Sequence, residues 1–168
     1  METREIKQTE LKPSVSDLRS HLRITAHDLD AELDRDLRSA VVSAENEIST
    51  VIAPSAFTLS TPILFKASYL ELRWPVTSVT SVKVGGTALS QDAYSWDEHG
   101  IRFAEPVDGK SVEVAYEAGL AYVPDDMQAA ILLLASSLFN NPTDRPEERD
   151  RTTARNLLRP YRRWEGRH

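Results

Sequence analysis

The chain has 168 residues, 40% of them hydrophobic, enough for one core and close to the usual size of a single domain with extensions. It contains no cysteine and carries a net charge of -6. Disulfide frameworks and thiolate metal sites are therefore excluded, and a general nucleic-acid binder, which needs a basic surface, is disfavoured. The opening stretch from Met1 to Glu10 is polar and charged, unlike the apolar segment of a signal peptide, and no apolar run approaches the roughly 20 residues of a membrane span. These features lead us to expect a soluble protein with no membrane partner, assembled in the cytoplasm.

In chain order, Pro13-Ser14 followed by Asp17, Leu18, Leu22 and Ile24 predicts a short capped helix, with Ser14 accepting from the first turn and Asp17 returning the bond. Leu29, Leu33, Leu37, Val41, Ala44 and Ile48 recur at spacings of three and four and predict a longer helix from about Asp28 to about Thr50. Asp28, Asp30 and Glu32 suit the positive N-terminal end of that helix. Pro54, with serine and threonine around it, ends the helical region.

From about Ile63 to Ala118 the pattern changes to short β-rich pieces: Tyr69 to Trp74, Val79 to Val84, Tyr94 to Trp96, Ile101 to Phe103 and Ser111 to Tyr116. Gly85-Gly86, His99-Gly100 and Asp108-Gly109 are turn signals between small antiparallel strands, because glycine reaches positive φ without a Cβ clash. Helix resumes after Pro124-Asp125-Asp126, where proline costs no hydrogen bond and the aspartates face the dipole. Met127, Ile131, Leu134 and Leu138 form one stripe, and Leu132, Leu133, Ala135 and Phe139 cover much of the remaining circumference, so this helix is expected at the centre of the core. Ile131, Leu134 and Leu138 are the expected buried set. Asn140-Asn141-Pro142 ends the helix, and Pro146-Glu147-Glu148 opens a last one with a thin stripe of Ala154, Leu157, Leu158 and Tyr161, which Pro160 should break or kink. The expected fold class is α+β: a mainly helical body with a small antiparallel β-rich insertion. In residues, 1–54 hold the N-terminal helices, 63–118 the β-rich insertion, and 124–168 the core helix and an arginine-rich C-terminal helix or tail.

Chemistry is sparse. Asp28, Asp30 and Glu32 are spaced like the opening of a calcium loop, but Leu33 stands where glycine is needed and Ser39 where a bidentate glutamate is needed. The four histidines, 21, 27, 99 and 168, show no metal-ligand spacing. There is no nucleophile elbow and no phosphate-cradling loop. Asp125-Asp126 and Glu147-Glu148 fall in first helical turns, where the dipole explains them, and Trp74, Tyr94, Trp96 and Tyr116 lie on strands, where packing explains them. No catalytic residue, metal site or cofactor is therefore assigned, and the chain is not read as an enzyme.

The charge is unevenly spread. Arg145 to His168 holds eight arginines against four acids, about +4, which leaves about -10 on the rest. A solvated helix face could carry such a tract, but Tyr161 and Trp164 sit among the arginines, and aromatic plus arginine is the composition of interface anchors. The candidate contact residues are Arg155, Arg159, Tyr161, Arg162, Arg163 and Trp164.

The order of parts resembles the head-tail connector (adaptor) proteins of long-tailed phages, prophages and gene-transfer particles. The resembling stretches are Ser14 to Ile24 with the acidic helix after it, Leu70-Glu-Leu-Arg-Trp-Pro-Val-Thr-Ser-Val-Thr-Ser-Val82, Tyr116-Glu-Ala-Gly119, and Val123-Pro-Asp-Asp-Met-Gln-Ala-Ala-Ile-Leu-Leu-Leu134. The link from Val51 to Thr61 departs from that pattern, lacking an aromatic-rich strand entry. The resemblance implies a structural virion protein that forms a closed homo-oligomeric ring, usually of twelve copies, between portal and tail. Its implied partners are the portal protein and a tail-side connector or tail terminator, with DNA passing through the lumen without sequence-specific binding. The competing expectation is a small nucleic-acid-binding or regulatory domain that uses the basic C-terminal tail.

Overall fold

A computed structural model describes residues 1–7, 12–141 and 148–163. The chain divides into two units, one of Met1–Glu10 with Ala53–Ala121 and one of Leu11–Ile52 with Tyr122–His168. The first is built of strands β1 (Glu2–Ile6), β2 (Ser55–Ile63), β3 (Ala67–Glu71), β4 (Val76–Val84), β5 (Thr87–Ala88), β6 (Tyr94–Asp97), β7 (Gly100–Val107) and β8 (Lys110–Ala118). The second is built of helices α1 (Val15–Leu22), α2 (Asp30–Ile48), α3 (Asp125–Asn140) and α4 (Glu148–Leu158). The α+β class follows as expected. The β portion is larger than a small insertion, however: it recruits the N-terminus and starts at Ser55 rather than near Ile63, so strands occupy nearly as much of the chain as helices.

The strands form a five-stranded antiparallel sheet in the order β1-β2-β8-β4-β5 and a three-stranded one in the order β3-β7-β6. β8 shows the two-residue period clearly, with Val112, Val114, Tyr116 and Ala118 buried and the residues between them less so. Gly85 and Gly86, at φ +57° and +81°, make the β4–β5 turn, as the sequence suggests. Gly119 ends β8 at φ +146°, and a Cβ there would stand 2.7 Å from Pro54 Cα, so only glycine lets the two segments meet.

β1 is a strand that the polar N-terminus does not announce. Its anchors are charged groups. Arg73 Nε donates to Glu2 Oε2 (2.6 Å), the Tyr116 hydroxyl donates to Glu2 Oε1 (2.9 Å), and Lys7 Nζ pairs with Glu117 (2.7 Å). The guanidinium groups of Arg4 and Arg73 lie 5.5 and 6.0 Å from the centre of the Phe57 ring, which stacks on Tyr116 at 5.1 Å. Burial, and the hydrogen bond to Glu2, push the Tyr116 phenol well above the ordinary tyrosine range.

In the helical unit, Ser14 and Asp17 form the expected reciprocal cap on α1: Ser14 Oγ accepts from the Asp17 N–H (3.2 Å) and the Ser14 N–H donates to Asp17 Oδ2 (2.7 Å). α2 buries Leu33, Leu37, Val41, Ala44 and Ile48 of the stripe read from the spacing, together with Ala40, while Leu29 stands at its N-cap and is only half-buried. Its exit is fixed by a group that hydrophobic spacing cannot reveal: Glu45, itself buried, accepts the Ile52 N–H at 2.8 Å after Ser49 closes the helix in the left-handed conformation. α3 buries Met127, Ala130, Ile131, Leu134 and Ala135, but Leu138 is only half-buried, and Ser136 and Ser137 take buried positions near the helix end.

Candidate interaction surface

α4 has an apolar stripe only two buried residues wide, Ala154 and Leu158, and these pack it on the other helices of its unit. Every other residue from Arg151 to Asn156 is exposed, and Arg151 and Arg155, four residues apart, stand on one side of the helix. Glu148 and Asp150 occupy the first turn and Arg155 the last, the arrangement that the helix dipole favours. Thr152 and Thr153 donate their hydroxyls to the carbonyls of Glu148 and Arg149. After Leu158 the helix tightens into a 3-10 turn over Arg159–Tyr161 with Pro160 inside it, the break that the proline predicts.

Two contacts seat this turn on the helical unit. The Tyr161 hydroxyl donates to Asp126 Oδ1 at 2.6 Å, at the start of α3, and the Arg163 N–H donates to the Ile48 carbonyl at 3.0 Å, at the end of α2. The hydrogen bond to the Asp126 carboxylate raises the Tyr161 phenol above its ordinary range. The last turn of α2 carries no basic residue of its own, so α4 and the turn after it bring positive charge to the negative end of that helix.

Between α2 and α4 run two adjoining grooves. One, of about 270 Å³, is lined by Ser43, Asn46, Glu47, Leu134, Arg151 and Arg155 among others. Its neighbour, of about 420 Å³, is walled by Glu47, Arg155, Asn156, Arg159 and Arg162. Arg155 Nε pairs with Glu47 Oε1 at 3.1 Å on the ridge that both grooves share. Among the described residues no three histidine, aspartate or glutamate side chains come together as a metal site would require. The arrangement suits an acidic partner: forked guanidinium donors stand around a groove with an apolar floor, the geometry that binds carboxylates at two points.

Of the six candidates, Arg155, Arg159 and Arg162 therefore line one groove, Arg163 is tied to α2 through its backbone, and Tyr161 is turned inward onto Asp126. Trp164 lies outside the described residues, as do Arg145 and Arg167. Two residues that belong to the surface escaped the sequence reading as contacts. Arg151 is four residues before Arg155 and eight before Arg159, a same-face spacing that could have placed it with them. Glu47 is on α2, and only the fold brings it to the arginines.

No family model matches the chain, and no curated protein matches it. Solved structures do. A chain of the neck of an empty gene transfer agent particle, computed with C6 symmetry, superimposes with a TM-score of 0.78 at 22% identity over 99% of this chain and 98% of that one. A chain of the virion of the native particle does so with a TM-score of 0.76 at 20% identity, again over 99% and 98%. A chain of the native neck computed with C12 symmetry gives the same values. At this identity the likeness establishes a shared fold along nearly the whole chain.

Proposed function

We propose that this chain is a structural virion protein of the neck of a tailed, phage-like particle, one layer of a cyclic head-tail connector through which DNA passes. The observation that carries the reading is the match, over nearly the full length of both chains, to chains from gene transfer agent necks. Those necks were computed with C6 and C12 symmetry, which supports a ring and is compatible with twelve copies. Portal on one side and a tail-side connector or tail terminator on the other are the proposed partners. The charge distribution fits such a conduit, because an acidic body repels passing DNA while a basic tract is left to hold protein. On this reading the chain needs no catalytic group, and its site of action is the head-tail interface of a particle assembled in the host cytoplasm.

Within that function, the arginines of α4 and of the turn after it are the portal contact. Arg151 and Arg159 offer forked donors to acidic side chains, while Tyr161 serves the tract by holding it to α3. Removing the whole tract would also remove buried Leu158, so point substitutions are the cleaner test. R151E/R159E should abolish co-assembly with the portal and leave the fold intact by circular dichroism. Undiminished portal binding would refute the contact. A loss confined to DNA affinity, with the steep salt dependence of phosphate binding, would instead assign the tract to nucleic acid.

A further inference from the structure

The three-stranded sheet has β3 at one edge and β6 at the other, and each edge carries an exposed apolar spot. Immediately before β3, Leu64 is 74% and Phe65 83% exposed, an unusual amount of apolar surface for two adjacent residues. Exposed Lys66 follows them, and Lys110 is the register partner of neighbouring Ile63. Neither lysine is ion-paired among the described residues, and the adjoining turn supplies one carboxylate, Asp108, so the tip is net positive. On β6, Trp96 is 45% exposed and is followed by exposed Asp97 and Glu98. Asp97 accepts the N–H groups of His99 (2.8 Å) and Gly100 (3.0 Å), which hold its carboxyl below the usual range and keep it charged. Glu98 faces His99 Nδ1 at 3.6 Å.

β7 lies between the two spots. Ala67, next to the lysine-flanked tip, pairs with Val107 at one end of β7, and Trp96 pairs with Ile101 near the other. The spots therefore occupy opposite edges and opposite ends of one small sheet, and they carry opposite net charge, since Asp97 and Glu98 outnumber the exposed Arg102 that lies beside Asp97. We propose that they are the two halves of a single contact between copies of this chain, with the Leu64-Phe65 tip of one copy seated on Trp96 of the next and Lys66 and Lys110 facing Asp97 and Glu98. The inference rests on the ring reading above and names the surface through which neighbours meet. Such a contact joins different faces of identical subunits, so it propagates head to tail and closes into a ring where the rotation allows. Apolar anchors supply most of the affinity and the charges set which face meets which.

The test is sedimentation velocity on the purified chain, from tens of micromolar to about a millimolar, with folding checked by circular dichroism. The wild-type chain should self-associate, and L64S/F65S and W96S should each do so at least roughly tenfold more weakly, as expected for losing a buried apolar anchor. An equimolar mixture of the two variants should form a heterodimer and nothing larger, because one intact tip and one intact platform remain between them. K66E should weaken association, and adding E98K to the same chain should restore it. Association that is unchanged in both apolar variants overturns the contact while leaving the ring standing. A wild-type chain that stays monomeric throughout also overturns it, and imaging of assembled particles then judges the ring separately.

Discussion

Ser14 and Asp17 illustrate how a few side chains set local structure. The hydrogen bonds from the Ser14 hydroxyl and N–H hold the Asp17 carboxyl below the ordinary aspartate range. A depressed pKa means that the cap stabilises the folded state above the unfolded aspartate pKa and loses that contribution as pH falls through the folded one. Amide protection in α1, measured relative to the intrinsic exchange rate at each pH, should therefore fall on acidification through that window. S14A should remove this pH dependence and cost about 0.5 to 2 kcal/mol, the usual value of an N-cap. Leu134 is 4% exposed and lines the floor of the smaller groove, so L134A should cost about 2 to 5 kcal/mol in chemical denaturation. A variant as stable as the parent would contradict the central place given to α3. G119A should destabilise by more than about 1 kcal/mol, because φ of +146° and the nearby Pro54 backbone leave no room for a methyl group.

Elements with a strong period or a cap were legible in the sequence; elements fixed by distant partners were not. The α2 stripe, the Ser14 box, the Gly85-Gly86 turn and the proline break after Leu158 are local signals, and the structure follows each. β1 carries no such signal, since Glu2, Arg4 and Lys7 read as a solvated start until Arg73, Tyr116 and Glu117 are brought beside them from more than 65 residues away. Leu138 read as core because it continues the α3 stripe, but two residues from the helix end it is only half-buried, while Ser136 and Ser137 are buried. At the candidate surface, arginine composition identified the tract, whereas Glu47 and the inward turn of Tyr161 depend on the packing of α4. The polar anchoring of β1 gives a test at this scale: E2A should raise amide exchange in β1 selectively, leaving β8 protected, as expected for an edge strand whose loss spares the strands beyond it. Equal exchange in β1 of parent and variant would show that Glu2 is not the anchor.

At the scale of the whole molecule, the proposed function sets three demands: to fold with no covalent staple, to repel a polyanion along a lumen, and to grip proteins above and below. An α+β fold with two units and an uneven charge distribution suits those demands. The central claim is that this chain is a cyclic layer of a particle neck. Electron cryomicroscopy of particles from cells expressing it with its neighbouring structural genes tests that claim most directly. The account predicts density for this chain as a closed ring between portal and tail, with α4 toward the portal and DNA or an open channel on the axis; mature particles in which the chain is absent from the neck, or present only as a single copy off the axis, would contradict it.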